Sequence, residues 1–382
     1  MESLTQGSQS LALGLVLTAA PQLVEDLLLM RKPNSKFMKL LIVVVAFISV
    51  FFLACSNPPP KAGPKFTGRV LLLNGDVANG ANLSELTAAG DGYNLTPLVS
   101  GVFEAVASPD QTRLLYATKD EIMLRELRGG EAKSIIKGPS FCFAWAPDGN
   151  HFSYKQKSGD GWKIYAADLS GKTKMLWENP TETPDCGQWI SPDRLVFDRF
   201  MGAIQKPAAG EKIKPNTTSV VTIGDSPKFR DAPKKWSIEA ICTKGNVGFV
   251  RAMDQSQVLV AKNIDHFETI DPKPGPCSEC RFAGFAAQSC VPFFIEQPTS
   301  TTTELFSLNP TNWQKQRPSS ITWTFSPAAK MLIKSSARLM VAGDAPDKLL
   351  LIDTETGDVT PFFRKPDQFA IQNPAPVAWI EN

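Results

Sequence analysis

Side chains able to do covalent or acid–base chemistry are few in this chain of 382 residues, and they are scattered. There are two histidines, His151 and His266, both near the edges of expected strands. No Gly-x-Ser-x-Gly tract exists to lift a serine onto a strand-to-helix elbow. The stretch Ala166-Ala167-Asp168-Leu169-Ser170-Gly171-Lys172-Thr173 ends like a phosphate-binding loop, but that loop needs glycine where Ala166 stands and a helix afterwards. It reads instead as a turn between strands. Asp110, Asp148 and Asp193 recur along the chain and could form a ring of carboxylates around a cation. Each, however, follows a proline in a turn, where an aspartate accepts hydrogen bonds from backbone two residues on, so hairpin stabilisation is the expected role. These residues point to no enzyme, no cofactor and no metal site.

Cysteine carries more information. Beyond Cys55, treated below, the chain holds Cys142, Cys186, Cys242, Cys277, Cys280 and Cys290, an even set that in an exported protein favours disulfides. Cys142 and Cys186 each stand three residues before a tryptophan, at equivalent points of successive repeats, and are expected to bridge them. The Cys277-x-x-Cys280 spacing invites a redox or zinc reading, but it lacks a βαβ context and a nearby histidine.

The elements that position these residues repeat. Ala107-Ser108-Pro109-Asp110 runs into Arg113-Leu114-Leu115-Tyr116, Trp145-Ala146-Pro147-Asp148-Gly149 into His151-Phe152-Ser153-Tyr154, and Trp189-Ile190-Ser191-Pro192-Asp193 into Leu195-Val196-Phe197. A weaker copy, Phe325-Ser326-Pro327, precedes Met331-Leu332-Ile333. Between Phe141 and Trp177 four strands alternate with turns at Pro147-Asp148-Gly149, Ser158-Gly159-Asp160-Gly161 and Asp168-Leu169-Ser170-Gly171. A four-stranded unit recurring about every 40 to 45 residues marks an all-β propeller. Units are expected to begin near Val102, Phe141, Cys186, Trp236, Arg281 and Ile321. Pro376-Val377-Ala378-Trp379-Ile380 looks like an inner strand without outer ones, and Arg69 to Leu73 and Leu83 to Thr87 look like outer strands without an inner one. Joined, they complete a seventh blade and remove the exposed sheet edges of an open array.

The Ser-Pro-Asp-Gly hairpin, the aromatic strand after it, and the Ile164-Tyr165-x-x-Asp168-Leu169-x-Gly171 strand resemble the repeats of TolB-type β-propellers, best over residues 102–200 and less closely over 321–363. Propellers of that type usually have six blades, so six is the alternative to the seven counted from the repeat. The resemblance implies a non-catalytic scaffold that binds an envelope protein or a cell-wall-associated partner. The alternatives are a propeller enzyme acting on a small extracytoplasmic substrate and a solute- or sugar-sensing module.

Arg31, Lys32, Lys36 and Lys39 precede an apolar run from Leu40 to Ala54, too short for a comfortable membrane span and suited to a signal segment. Its Leu53-Ala54-Cys55 ending resembles the lipobox of bacterial lipoproteins, which implies acylation of Cys55 and anchoring to a membrane. Ser56 after the cysteine resembles lipoproteins sorted to the periplasmic face of the outer membrane. On this reading residues 1–54 are a signal region, of which 1–29 are an over-extended start, 55–65 a lipidated, proline-rich tether, and 66–382 a single propeller. The tether could reach roughly 30 Å at about 3.1 Å per residue. With 40 Lys and Arg against 38 Asp and Glu the chain has no electrostatic footprint for nucleic acid. The one departure from blade economy is Met201 to Pro215, where Lys206, Lys212 and Lys214, followed by Lys228, Arg230, Lys234 and Lys235, make a candidate partner-binding loop.

Overall fold

The Pro-Asp turns fold as local chemistry dictates. In Ala146 to His151 the Asp148 carboxylate accepts the backbone N–H of Asn150 at 2.9 Å and of His151 at 3.3 Å, while Gly149 takes a φ of +65°. Asp110 does the same for the N–H of Thr112 at 3.1 Å, and Asp193 accepts from the Ser191 hydroxyl at 2.6 Å. Each turn joins an inner strand to the next, as Ser140–Trp145 pairs with His151–Ser158, which pairs with Gly161–Asp168, which pairs with Thr173–Asn179.

Six further sheets of the same order complete the computed structural model, which describes residues 66–89, 92–159, 161–180, 182–201, 217–231, 236–242, 246–252, 258–264, 266, 273–274, 280–286, 289–309, 311–326, 329–333, 338–344, 347–362 and 371–381. The described residues form an all-β propeller of seven blades. The inner strands, taking first the blade that closes the ring, are Ala375–Ile380, Glu104–Ala107, Ser140–Trp145, the split pair Glu182–Pro184 and Gln188–Ser191, Trp236–Cys242, Arg281–Phe285 and Lys330–Ile333. Each neighbours the inner strands of the blades on either side.

Closure joins the two ends of the propeller. The strand Ala375–Ile380 pairs antiparallel with Arg69–Asn74, with Val70 opposite Trp379 and Leu71 opposite Ala378, and a bulge between Leu71 and Leu72. At the seam Gly68, at φ +84°, leaves no room for a side chain, since a Cβ there would stand 2.4 Å from the Ile380 carbonyl oxygen.

Packing explains why the strands do not read as simple alternation. Leu71, Leu72 and Leu73 are all buried, as are Phe152, Ser153 and Tyr154, because both faces of a blade are covered by its neighbours. The apolar clusters accordingly lie between blades: Leu115, Phe143, Trp145 and Phe152 in one, Ile164, Trp177, Trp189 and Phe197 in the next. The repeated tryptophans add a directed bond across each junction. Trp145 Nε1 donates to the Val106 carbonyl of the preceding blade at 3.1 Å, and Trp189 Nε1 to the Ala144 carbonyl at 2.9 Å. Two disulfides also staple neighbouring blades, Cys142 to Cys186 with Cα atoms 4.7 Å apart and Cys242 to Cys290 at 5.8 Å. Cys280 is disulfide-bonded as well, to a partner outside the described residues.

One repeat is corrected. Phe325-Ser326-Pro327 does not mark a turn between an inner and a second strand. Ile321, the expected start of a blade, instead closes the outer strand Lys315–Ile321, and the inner strand of the next blade is Lys330–Ile333. Phe325 belongs to the linker between them and is buried in the core shared by these two blades. A Ser-Pro pair is a local signal that suits a linker as well as a hairpin. Residues 1–65 with Cys55, Lys206, Lys212, Lys214, Lys234, Lys235, Cys277 and Pro327 lie outside the described residues.

Candidate functional site

Three inner strands, from the blades that begin with Ala375, Glu104 and Lys330, start around one cavity of about 650 Å³ at the mouth of the ring. Val77, Phe103, Met331, Pro376 and Val377 wall it, and Asp76, Glu104 and Lys330 bring the charges. Val77 belongs to the turn between the strands Arg69–Asn74 and Ala81–Ala89, and it is 42% exposed. Asp76 shapes that turn, its Oδ1 accepting the Ala78 N–H at 3.0 Å. A second recess of about 350 Å³, lined by Asn74, Asn79, Asn82 and Gln372, adjoins the first at Gly75 and Asp76.

Glu104 is among the residues that line the cavity, and its carboxylate turns to the neighbouring blade. Its carboxylate accepts the backbone N–H groups of Cys142 and, at 3.0 Å, Phe143, on the inner strand of the neighbouring blade. Burial nonetheless holds its pKa above the ordinary glutamate value, against those two bonds and the charge of Lys155. Lys155 lies on the far side of that strand, where Nζ donates to the Pro184 carbonyl at 3.0 Å and sits 4.7 Å from the centre of the Trp162 ring. Desolvation lowers its pKa, while Asp185 and Glu104 favour its charged form.

Asp185 stands where the fourth inner strand is interrupted, and its Oδ1 accepts the N–H groups of Gly187 at 2.9 Å and Asp198 at 3.1 Å, bonds that an unbroken ladder would have supplied. Burial raises its pKa. Asp198 is 5% exposed, accepts the Thr218 hydroxyl at 2.5 Å, and is pushed up to about 6 by burial and by the Asp185 charge. A chain of ionisable groups thus runs from the cavity through two blade junctions, with the Cys142–Cys186 bond beside it.

Asp110, Asp148 and Asp193 are not brought together. Each stays in its own turn at the end of an inner strand, whereas the cavity lies where inner strands begin. His151 Nδ1 lies 2.8 Å from Asp148 Oδ2 on an exposed turn, and His266 is exposed. Among the described residues no group of three or more His, Cys, Asp or Glu side chains is arranged to hold a metal ion. Sequence reasoning missed Glu104, although a signal existed: Glu104 stands five residues before the turn proline Pro109, as Cys142 stands five before Pro147. The repeat therefore marks both as the same place on neighbouring inner strands.

No family model matches the sequence, and no curated protein is significantly similar to it. Solved structures do share the fold. The periplasmic gluconolactonase of Pseudomonas aeruginosa is similar at 9% identity over 82% of this chain and 99% of that one, with a TM-score of 0.51. A functionally unknown protein from Desulfotomaculum acetoxidans is similar at 11% identity over 81% of this chain and 99% of that one, with a TM-score of 0.52. TolB from Acinetobacter baumannii is similar at 14% identity over 83% of this chain and 68% of that one, with a TM-score of 0.43, a looser superposition from which no shared surface follows. The expectation of a protein that is not an enzyme is corrected here. A gluconolactonase is built on this fold, so the missing serine elbow and histidine pair do not exclude catalysis.

Proposed function

We propose that the protein is a binding propeller of the bacterial envelope that receives a segment of a protein partner at the mouth of its channel. The carrying observation is the cavity of about 650 Å³, largely apolar in its walls, lined in part by Asp76, Glu104 and Lys330 and rimmed by the exposed Val77. Ligand recesses have this size and this mixture of apolar wall and few polar groups. The disulfides favour an oxidising compartment outside the cytoplasm. Acylation of Cys55 would tether the propeller there, with the periplasmic face of the outer membrane as the proposed address, and Lys206, Lys212 and Lys214 are proposed as a second contact with the partner. The test is cross-linking in intact cells with wild type, Val77→Arg, Met331→Arg and, as a control on an outer strand, Met175→Arg. Loss of one specific adduct in the first two variants only is expected; equal capture by all four refutes the site.

A second reading is favoured by one observation, the cavity carboxylate Glu104 with its raised pKa, suited to proton transfer. The protein would then act on a small extracytoplasmic substrate. Hydrolysis of gluconolactone by the purified protein, abolished in Glu104→Gln, would support this reading, and no turnover would refute it for that substrate.

A further inference from the structure

We infer that the Cys142–Cys186 disulfide is a site of thiol–disulfide exchange, and that its oxidation state sets the position of Glu104 at the wall of the cavity. The exchange itself does not depend on the function proposed above; only its consequence for binding rests on that reading.

The two described disulfides differ in access. Cys186 is exposed, in the interruption of the fourth inner strand, whereas in the other bond Cys242 is half-buried and Cys290 is 4% exposed inside the junction of its two blades. Exchange requires a thiolate to reach a sulfur in line with the bond it breaks. A dithiol reductant can therefore attack Cys186 Sγ, forming a mixed disulfide and expelling the Cys142 thiolate. The second thiol of the reductant then attacks its own bonded sulfur and releases the Cys186 thiolate. Two electrons and two protons pass to the protein, and the reductant leaves as a disulfide.

The consequence follows from what Cys142 holds. Its backbone lies at φ +66°, a left-handed conformation that a residue with a Cβ rarely adopts, within the irregular pairing between Phe141 and Ala144. In that conformation the successive N–H groups of Cys142 and Phe143 both point at the Glu104 carboxylate. With the sulfur bond cut, Cys142 is free to return to extended backbone, and the paired donors turn away from Glu104. Asp185, adjacent to Cys186 in sequence, and Lys155, which interacts with both Asp185 and Glu104, loosen with it. The carboxylate of Glu104, a residue of the cavity wall, is thus held by one redox state and released by the other.

The test uses the full chain without any partner, so its outcome is separate from that of the binding reading. The folded protein is treated with dithiothreitol, alkylated with N-ethylmaleimide and digested for mass spectrometry, and amide exchange is followed in parallel. Cys142 and Cys186 should be labelled before Cys242 and Cys290. Exchange at Cys142 and Phe143 should rise about tenfold on loss of bonds to a charged acceptor, and exchange across Phe103 to Val106 should rise with it. Cys142→Ser/Cys186→Ser should reproduce both changes without reductant. Glu104→Gln, with the bond intact, should raise exchange at Cys142 and Phe143 alone. Simultaneous opening of Cys242–Cys290, or reduction that leaves Phe103 to Val106 unchanged, overturns the inference. So does exchange that also rises in Arg69–Asn74, because the bond would then be a general staple.

Discussion

Asp198→Asn should stabilise the propeller above neutrality and destabilise it in acid, where only the cost of the new amide donors remains. The carboxylate is 5% exposed, and burial, with Asp185 beside it, lifts its pKa from 3.8 to about 6. Below pH 3.8 both the folded and the unfolded chain carry the proton, and the group costs nothing. Between that value and about 6 the folded protein retains a proton that the unfolded chain has released, so stability falls as pH rises. Above about 6 both states are ionised and the full cost is present. A shift of about two units is worth about 3 kcal/mol. Asparagine is neutral throughout and can accept the Thr218 hydroxyl, but its amide donors must find partners at a cost of about 1 to 2 kcal/mol. The net gain is about 1 to 2 kcal/mol, or a rise in Tm of about 2 to 3 °C for a domain of this size. Melting curves of wild type and variant by circular dichroism at pH 8 and pH 4 test this. A variant less stable than wild type at pH 8, or shifted equally at both pH values, refutes the reasoning.

Trp379→Ala should cost about 3 to 5 kcal/mol, because the indole is 5% exposed, donates to the Thr67 carbonyl at 2.9 Å and packs 5.5 Å from Phe66 at the seam of the ring. Urea unfolding measures it, and a loss under 1 kcal/mol would mean the ends are not joined as described. Gly343→Ala should lower Tm, since a Cβ would stand 2.0 Å from the Pro374 carbonyl oxygen, and overpacking of that kind costs about 1 to 3 kcal/mol; an unchanged melting curve counts against the close approach. Cys55→Ser should move the protein from the membrane fraction to the soluble periplasmic fraction on immunoblots, and unchanged membrane association would remove the lipid-anchor proposal.

What could be read in the sequence was local or repeated. The Pro-Asp turns were visible because Asp110 and Asp148 act on backbone two or three residues away and Asp193 on the hydroxyl of Ser191. Ring closure was visible because an inner strand around Trp379 and outer strands from Arg69 were each incomplete alone. The approach of Cys142 to Cys186 followed from their common spacing to Trp145 and Trp189. Phe325-Ser326-Pro327 misled because a Ser-Pro pair records a backbone preference and not a place in the blade. The cavity was not legible, since Val77, Glu104, Lys330 and Val377 meet only when ring closure sets the angle between blades. Nor were the pKa values of Asp185 and Asp198, which depend on how deeply the fourth blade buries an interrupted strand.

The most direct test of the central claim is to place one photo-cross-linkable residue at a time around both ends of the ring in living cells: at Val77, Met331 and Val377 by the cavity, and at Asn150 and Asp193 in the Pro-Asp turns. A binding site at the channel mouth predicts the same discrete adduct from the three cavity positions and none from the two turns. The same adduct from Asn150 or Asp193, with none from Val77, Met331 and Val377, would contradict it.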